Sequence, residues 1–114
     1  MAGTPALDWF PRRGEVYFVR LDKMRPALVI SSNAINRHAL DICIVPITSM
    51  EHPRFSFRVP LNPPQGGVKR ESWAKCDQVT TLEKARLVHP PLGRLNEDTL
   101  REIEKAIKLA VQLP

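Results

Sequence analysis

Outward and inward positions exchange at every second residue in "EVYFVRL" (15–21), with Val16, Phe18 and Arg20 on one side and Tyr17, Val19 and Leu21 on the other. That period of two predicts a strand. Two β-branched runs bounded by turn formers, "RPALVISS" (25–32) and "DICIVPITS" (41–49), predict buried strands. Pro26 and Pro46 cannot donate to a ladder, so each predicts a strand start, an edge or a bulge. "RFSFRVPL" (54–61) alternates again, setting Phe55, Phe57 and Val59 against Arg54, Ser56 and Arg58. "ESWAKCDQVTTL" (71–82) reads as one further strand, and "ARLVHPPLGRL" (85–95) opens with a short extended piece. Between them "NPPQGGVKRE" (62–71) holds two prolines, two glycines and two cations, and reads as a loop beside the sheet.

Only the end of the chain changes period. Asn96 suits an N-cap, and Glu97 and Asp98 suit the positive end of the helix dipole. In "TLREIEKAIKLAVQL" (99–113), Leu100, Ile103, Ile107, Ala110 and Val111 share one face. Glu97 with Arg101, and Glu104 with Lys108, stand four apart on the other. The pattern is mainly β with a terminal helix (α+β), a small and strongly bent sheet or barrel with the helix packed on it. It contains no βαβ unit.

Length and charge narrow the partners. The 114 residues suit one domain, 13–114, behind a loose Pro- and Gly-containing leader at 1–12. Such a domain buries roughly two-thirds of its unfolded surface without metal or disulfide staples. No apolar run approaches the ~18 residues of a membrane span, and the N-terminus lacks the basic head and apolar run of a secretory signal. A cytoplasmic location follows, with Cys43 and Cys76 as reduced, buried thiols. The formal charge of +5 and a pI near 9.7 favour a polyanionic partner, either nucleic acid or an acidic protein.

Familiar catalytic signatures are absent: no glycine-rich phosphate loop, no CxxC and no HExxH. His38, His52 and His89 are scattered over loop-like segments without metal-ligand spacing, so neither a metal nor another cofactor is expected. What remains is a set of polar residues at strand ends: Arg25, then Thr48 and Ser49 of "ITS", then Lys75, Asp77 and Gln78 of "AKCDQV". A guanidinium offers planar, charge-assisted donors matched to a phosphate. Thr48 and Ser49 suit a phosphate oxygen or a 2′-hydroxyl. Lys75 and Asp77, two apart, would share a side of one strand. The competing reading is structural, with Arg25 paired to Asp77 and the hydroxyls closing a strand. Lys69, Arg70, Arg54 and Arg58 suit a phosphate backbone or plain solvent. Trp73 reads as a core or dimer-interface residue, with base stacking as its other role.

The order "RRGEVYFVRLD", "RPALVISSNAIN", "IVPITS", "FRVPL", "CDQVTTLEKARL", "LGRLNEDTLREIEKAI" resembles the MazF/PemK (Kid) family of toxin–antitoxin toxins from about Arg13 onward. The resemblance implies a small SH3-like barrel of the MazF/PemK/CcdB type, acting as a homodimer. It implies a metal-free, sequence-selective endoribonuclease for single-stranded RNA, neutralised by the acidic tail of an antitoxin protein. It places cleavage on Arg25 of the R-P element and Thr48 of the P-x-T-S element, and maps the D-Q element onto Asp77 and Gln78. The chain departs from the pattern twice. Lys75 stands where some members carry a catalytic arginine, and only "DKM" separates Leu21 from Arg25 where members usually have a long loop.

Three other readings stay open. A non-catalytic RNA-binding barrel usually shows several aromatics on one face, and this chain has seven in all. A gyrase poison like CcdB depends on a C-terminal tryptophan segment, whereas this chain ends "AVQLP" with tryptophans at 9 and 73. A toxin that has lost activity through its shortened loop is the third.

Overall fold

A computed structural model describes residues 9–50 and 57–114. Seven antiparallel strands are described: β1 (Glu15–Arg20), β2 (Met24–Val29), β3 (Asp41–Thr48), β4 (Arg58–Leu61), β5 (Ser72–Lys75), β6 (Thr80–Glu83) and β7 (Leu87–Arg94). They form one sheet in the order β4-β5-β3-β2-β1-β7, with β6 also on β3. Helix α1 (Asn33–His38) joins β2 to β3, and helix α2 (Glu97–Ala110) closes the domain.

The sheet is buried on both faces at its centre, which explains why β1 to β3 read as dense apolar runs. Val16, Leu28, Val45, Ile47, Val59, Leu61 and Ala74 pack on one side with Ile103 and Ala106 of α2. Tyr17, Val19, Ala27, Val29, Ile42, Ile44, Leu82 and Leu87 fill the other, with Trp9 against them. Trp9 also meets His89 edge-on at 4.1 Å between ring centroids, and Pro11 is buried. The folded unit therefore begins ahead of Arg13, inside the segment read as a leader. His89 is a packing residue; burial lowers its pKa below the usual histidine range, and the Glu15 charge pulls it partly back.

Several expectations need correction. The stretch 71–82 is two strands, because the chain turns after Lys75, where the Gln78 amide donates to the Lys75 carbonyl at 3.0 Å. The strand expected from residue 54 is seen from Arg58; Arg54, Phe55, Ser56 and His52 lie outside the described residues. The piece after Ala85 is a full eight-residue strand, β7, running through both of its prolines. The loop 62–71 contains one 3₁₀ turn, Gln65–Gly67.

Pro46 lies inside β3 rather than at its start. It faces Ala27 of β2, while on its other side β3 changes partner, from β6 through Ile44 to β5 at Ile47. A residue without an N–H fits that gap.

Helix α1 escaped the periodic reading for a physical reason. Its apolar Ile35 points out, whereas Asn36 is fully buried. Asn36 Nδ2 donates to the Ser31 carbonyl at 3.0 Å, and its Oδ1 accepts from Ser31 Oγ. Ser31 Oγ in turn accepts from the Cys43 amide at 3.1 Å, and Lys84 Nζ caps the Asn36 carbonyl at 3.0 Å. A satisfied polar core of this kind has no hydrophobic period to detect.

Asn96 caps α2 as expected, accepting from the Thr99 amide at 2.8 Å. Glu97 and Arg101 pair at 3.6 Å. Glu104 instead turns to Arg13 at 2.7 Å, a charge-assisted bond that ties the helix to the segment leading into β1. Val111 is exposed, because the helix ends one residue earlier.

Both cysteines are free. Cys76 is inaccessible to solvent, and burial, helped by the Asp77 charge, pushes its thiol up to about 12. Cys43 is half-buried beside Thr81. A native thiol titration with a disulfide reagent is therefore expected to read one reactive group per chain, Cys43, with Cys76 appearing only on unfolding. Two fast thiols would contradict the placement of Cys76.

Candidate active site

Arg25 is the second residue of β2, facing the buried Val19 across the hairpin. The β1–β2 connection is only Leu21–Asp22–Lys23, with Arg20 paired to Met24. The long loop that the family resemblance implies is therefore replaced by a tight turn. On its other edge β2 pairs Ala27 with Pro46. Continuing that register by two residues sets Arg25 opposite Thr48, the last residue of β3. The antiparallel pairing of two central strands thus delivers a guanidinium and a hydroxyl to one end of the sheet.

Both residues line one cavity of about 570 Å³. Ser49, Lys69, Arg70, Ser72 and Lys23 join them, and Phe18, Met24 and Leu92 form an apolar wall. Thr48 Oγ1 accepts from the Met50 amide at 3.1 Å, which orients the hydroxyl and leaves its proton free to donate. Arg25 approaches Asp22 at 3.9 Å, with its side chain 45% exposed and that of Asp22 78% exposed. An ion pair this open and this long restrains the guanidinium little. The structural alternative of an Arg25–Asp77 pair is not what the fold builds.

The described lining carries four cations and three hydroxyls, and neither a carboxylate nor an imidazole. It is built to receive negative charge. Among the described residues no three of His, Cys, Asp and Glu converge as a metal site would require.

The remaining candidates sit beside the cavity. Trp73 faces Thr48 across β3 and β5, and Arg58 faces Lys75 across β4 and β5. Their strand neighbours Val59, Ala74 and Ile47 point to the core, so alternation puts Arg58, Lys75, Trp73 and Thr48 on the other face. Lys75 is half-buried, and its pKa is lowered, first by burial and then by the Arg58 and Arg25 charges, with Asp77 opposing. Asp77 and Gln78 are exposed in the turn 76–79, so strand alternation does not carry Lys75 and Asp77 together. Lys69 and Arg70 line the cavity; Arg54 lies outside the described residues.

Trp73 belongs to neither core cluster and is half-buried on the site face, which sets aside the core half of its core-or-interface reading. Lys23, Ser72, Phe18, Met24 and Leu92 were not singled out from sequence. They come from separate segments that no local pattern links, and Phe18 shows itself only in the fold, as an aromatic left 38% exposed in a central strand.

This architecture and site have relatives. A family model described as PemK-like, MazF-like toxin of type II toxin–antitoxin system matches residues 12–111. The chain is 30% identical over 115 residues to endoribonuclease MazF9 of Mycobacterium tuberculosis, covering 90% of this chain and 97% of that protein. It is 32% identical over 107 residues to endoribonuclease MazF1 of Mycobacterium bovis, covering 91% and 95%. Among solved structures, a mycobacterial endoribonuclease in complex with its cognate antitoxin superposes with a TM-score of 0.82 at 30% identity, covering 91% of this chain and 97% of that one. MazF in a MazE–MazF crystal structure from Deinococcus radiodurans shares the fold, with a TM-score of 0.80 at 24% identity, covering 94% and 100%. The seven-stranded sheet, the closing helix and a family match across nearly the whole chain agree, and this protein belongs to the PemK-like, MazF-like toxins of type II toxin–antitoxin systems.

Proposed function

We propose that this chain is the toxin of a type II toxin–antitoxin pair and an endoribonuclease that cuts single-stranded RNA at a phosphodiester held between Arg25 and Thr48. The observation that carries this reading is their shared cavity, rich in cations and hydroxyls. The relatives named as endoribonucleases support it.

The chemistry is attack of a ribose 2′-oxygen on its own phosphorus. The bond to the 5′-oxygen breaks, leaving a 2′,3′-cyclic phosphate and a 5′-hydroxyl. One proton leaves the 2′-hydroxyl and one reaches the departing 5′-oxygen, so no net proton is consumed. Arg25 stabilises the phosphorane as negative charge builds on it. Its part is electrostatic, presenting planar donors to the phosphorane oxygens. Thr48, its oxygen held by the Met50 amide, orients the phosphate or the attacking hydroxyl. Lys75, whose ammonium is destabilised first by burial and then by the Arg58 and Arg25 charges, is a better acid than an ordinary lysine, whereas Asp77, the carboxylate nominated as base from sequence, stays outside the cavity lining, exposed in the turn after β5.

The partner is an antitoxin with an acidic segment, complementary to the chain's +5 charge. The working unit is a homodimer and the location is cytoplasmic; among the described residues no helix is long and apolar enough to cross a membrane. The short β1–β2 turn keeps Arg25 and Thr48 in the cavity and adds Lys23 and Met24 to its mouth. That argues for an active toxin with a remodelled entrance over an inactive one.

End-group analysis of RNA incubated with the pure protein and excess chelator tests the proposal. Fragments with 5′-hydroxyl and 2′,3′-cyclic phosphate ends are expected. Binding without cleavage would move the chain to the non-catalytic reading.

A further inference from the structure

We infer that Gln65 is a positioning residue for the cleavage reaction: its side-chain amide latches the 62–71 segment to helix α2 and so fixes Lys69 and Arg70 at the cavity. The inference rests on the reading that the Arg25–Thr48 cavity holds the scissile phosphate.

Gln65 itself does not line the cavity. Two of the four cations that do, Lys69 and Arg70, follow it on the same segment, and the other two, Lys23 and Arg25, belong to the β1–β2 hairpin. A connection that begins "NPPQGG" reads as a flexible one, and a flexible connection would lose affinity to ordering its cations at each encounter. The structure shows a braced arm instead. Gln65 Oε1 accepts from the Asn96 amide at 2.8 Å, and Gln65 Nε2 donates to Thr99 Oγ1 at 3.2 Å. Asn96 is the N-cap of α2, and its own side chain holds the Thr99 amide at 2.8 Å. Both ends of the carboxamide are therefore used against the first turn of the helix, one as acceptor and one as donor.

The backbone around the latch is gripped as well. Gly66 and Gly67, with φ of +64° and +81°, seat directly on Gly93 of β7, where a Cβ would lie 2.7 Å from the Gly66 carbonyl carbon and the Gly67 nitrogen. Val68 is buried in the core beneath α2, and beyond the two cations Ser72 Oγ donates to the Arg70 carbonyl at 2.9 Å. The glycines permit close approach but carry no side chain to hold it. Among the described residues, the side-chain hydrogen bonds that join this segment to α2 are those of Gln65. The competing role is structural, with Gln65 steadying the helix end and nothing more. It differs in what happens to substrate affinity when the fold is intact.

Gln65→Met keeps the length of the side chain and removes both hydrogen bonds. Gln65→Glu keeps the latch, because the carboxylate accepts from the Asn96 amide, the Thr99 hydroxyl turns to donate, and a helix N-terminus favours the charge. Amide hydrogen exchange in a peptide spanning 62–72 should quicken at least tenfold in Gln65→Met and little in Gln65→Glu, with β1 to β3 unchanged in both. The melting temperature of Gln65→Met should fall by roughly 4–8 °C. In RNA cleavage well below that transition, Gln65→Met should raise KM roughly tenfold and keep kcat within a factor of about two, and Gln65→Glu should recover most of the loss. In a Lys69→Gln/Arg70→Gln background, adding Gln65→Met should change KM by less than about twofold, because the latch acts through those two cations.

An unchanged KM in Gln65→Met, or a KM rise without faster exchange in 62–72, would overturn the latch. So would an equal rise in the doubly neutralised background, which would mark a general loosening of the fold. A fall in kcat matching that of Arg25→Ala would also overturn it, by tying Gln65 to the reacting centre instead of the two cations. If the wild-type chain never cuts RNA, the proposed activity falls and the latch is decided separately, on the dissociation constant of a fully 2′-deoxy oligonucleotide. A roughly tenfold weakening in Gln65→Met that vanishes in the neutralised background would uphold it, and equal affinities would overturn it.

Discussion

Arg25→Ala is expected to lose RNA cleavage by ~10²–10³-fold or more while folding as the wild type does. The guanidinium stands at the mouth of β2 with its side chain 45% exposed, and its ion-pair contact is Asp22 at 3.9 Å. Exposed pairs of that length contribute about 0.2–0.5 kcal/mol, so the melting temperature should fall by no more than roughly 2–4 °C. The role proposed for it is to meet charge that develops on phosphorus only during reaction, and such interactions act on kcat more than on KM. Single-turnover cleavage of an RNA substrate, set beside a thermal melt of the same preparation, separates the two effects. Normal turnover would reject the assignment. A large drop in melting temperature would return Arg25 to the structural role that its ion-pair geometry argues against. Arg25→Lys should recover little, because an ammonium carries the charge without the bidentate fork.

Gly67→Ala should be the most destabilising single methyl addition near the site. A Cβ built at this position would lie 2.1 Å from the Leu92 carbonyl oxygen and 2.5 Å from its carbon, with φ at +81°. The obstacle is backbone of β7, which has no rotamer to yield. Overlap and left-handed strain together are expected to cost about 3 kcal/mol or more, a large part of the ~5–15 kcal/mol that holds such a domain folded. The melting temperature should fall by more than ~12 °C. Gly14 supplies the control. Its φ is +96°, but a Cβ there meets Leu100 Cδ2 at an ordinary 3.7 Å, so Gly14→Ala should cost only about 1–2 kcal/mol from strain. Gly67 also lines the cavity and leads into Lys69 and Arg70. Cleavage should therefore fall in Gly67→Ala even at temperatures where the variant stays folded, and not in Gly14→Ala. Equal melting temperatures for the two variants would show that the loop gives way freely and that Leu92 does not fix it.

These two residues mark what could be read early and what could not. Arg25 was legible because a cation at the root of an apolar strand conflicts with its surroundings, and such conflicts gather at functional sites. Its partner Thr48 was legible at the end of the next strand. Gly67 looked like ordinary loop punctuation, since nothing local reveals that a distant carbonyl lies against it. Arg58 was one solvated cation among several until its register opposite Lys75 was known. Asp77 seemed to share a strand side with Lys75, but the chain turns between them.

Local rules were enough for the mainly β class, the strand runs from Glu15 to Thr48 and a capped terminal helix with Ile103 inward. Sterics, capping and burial act within a few residues, and so leave their period in the chain. Pairing does not act at that range. The change of partner at Pro46, the turn of Glu104 from Lys108 to Arg13, and a cavity lined from five separated segments all depend on how far the sheet curls. That curl is set by packing between residues many positions apart, for which no short window carries a signal.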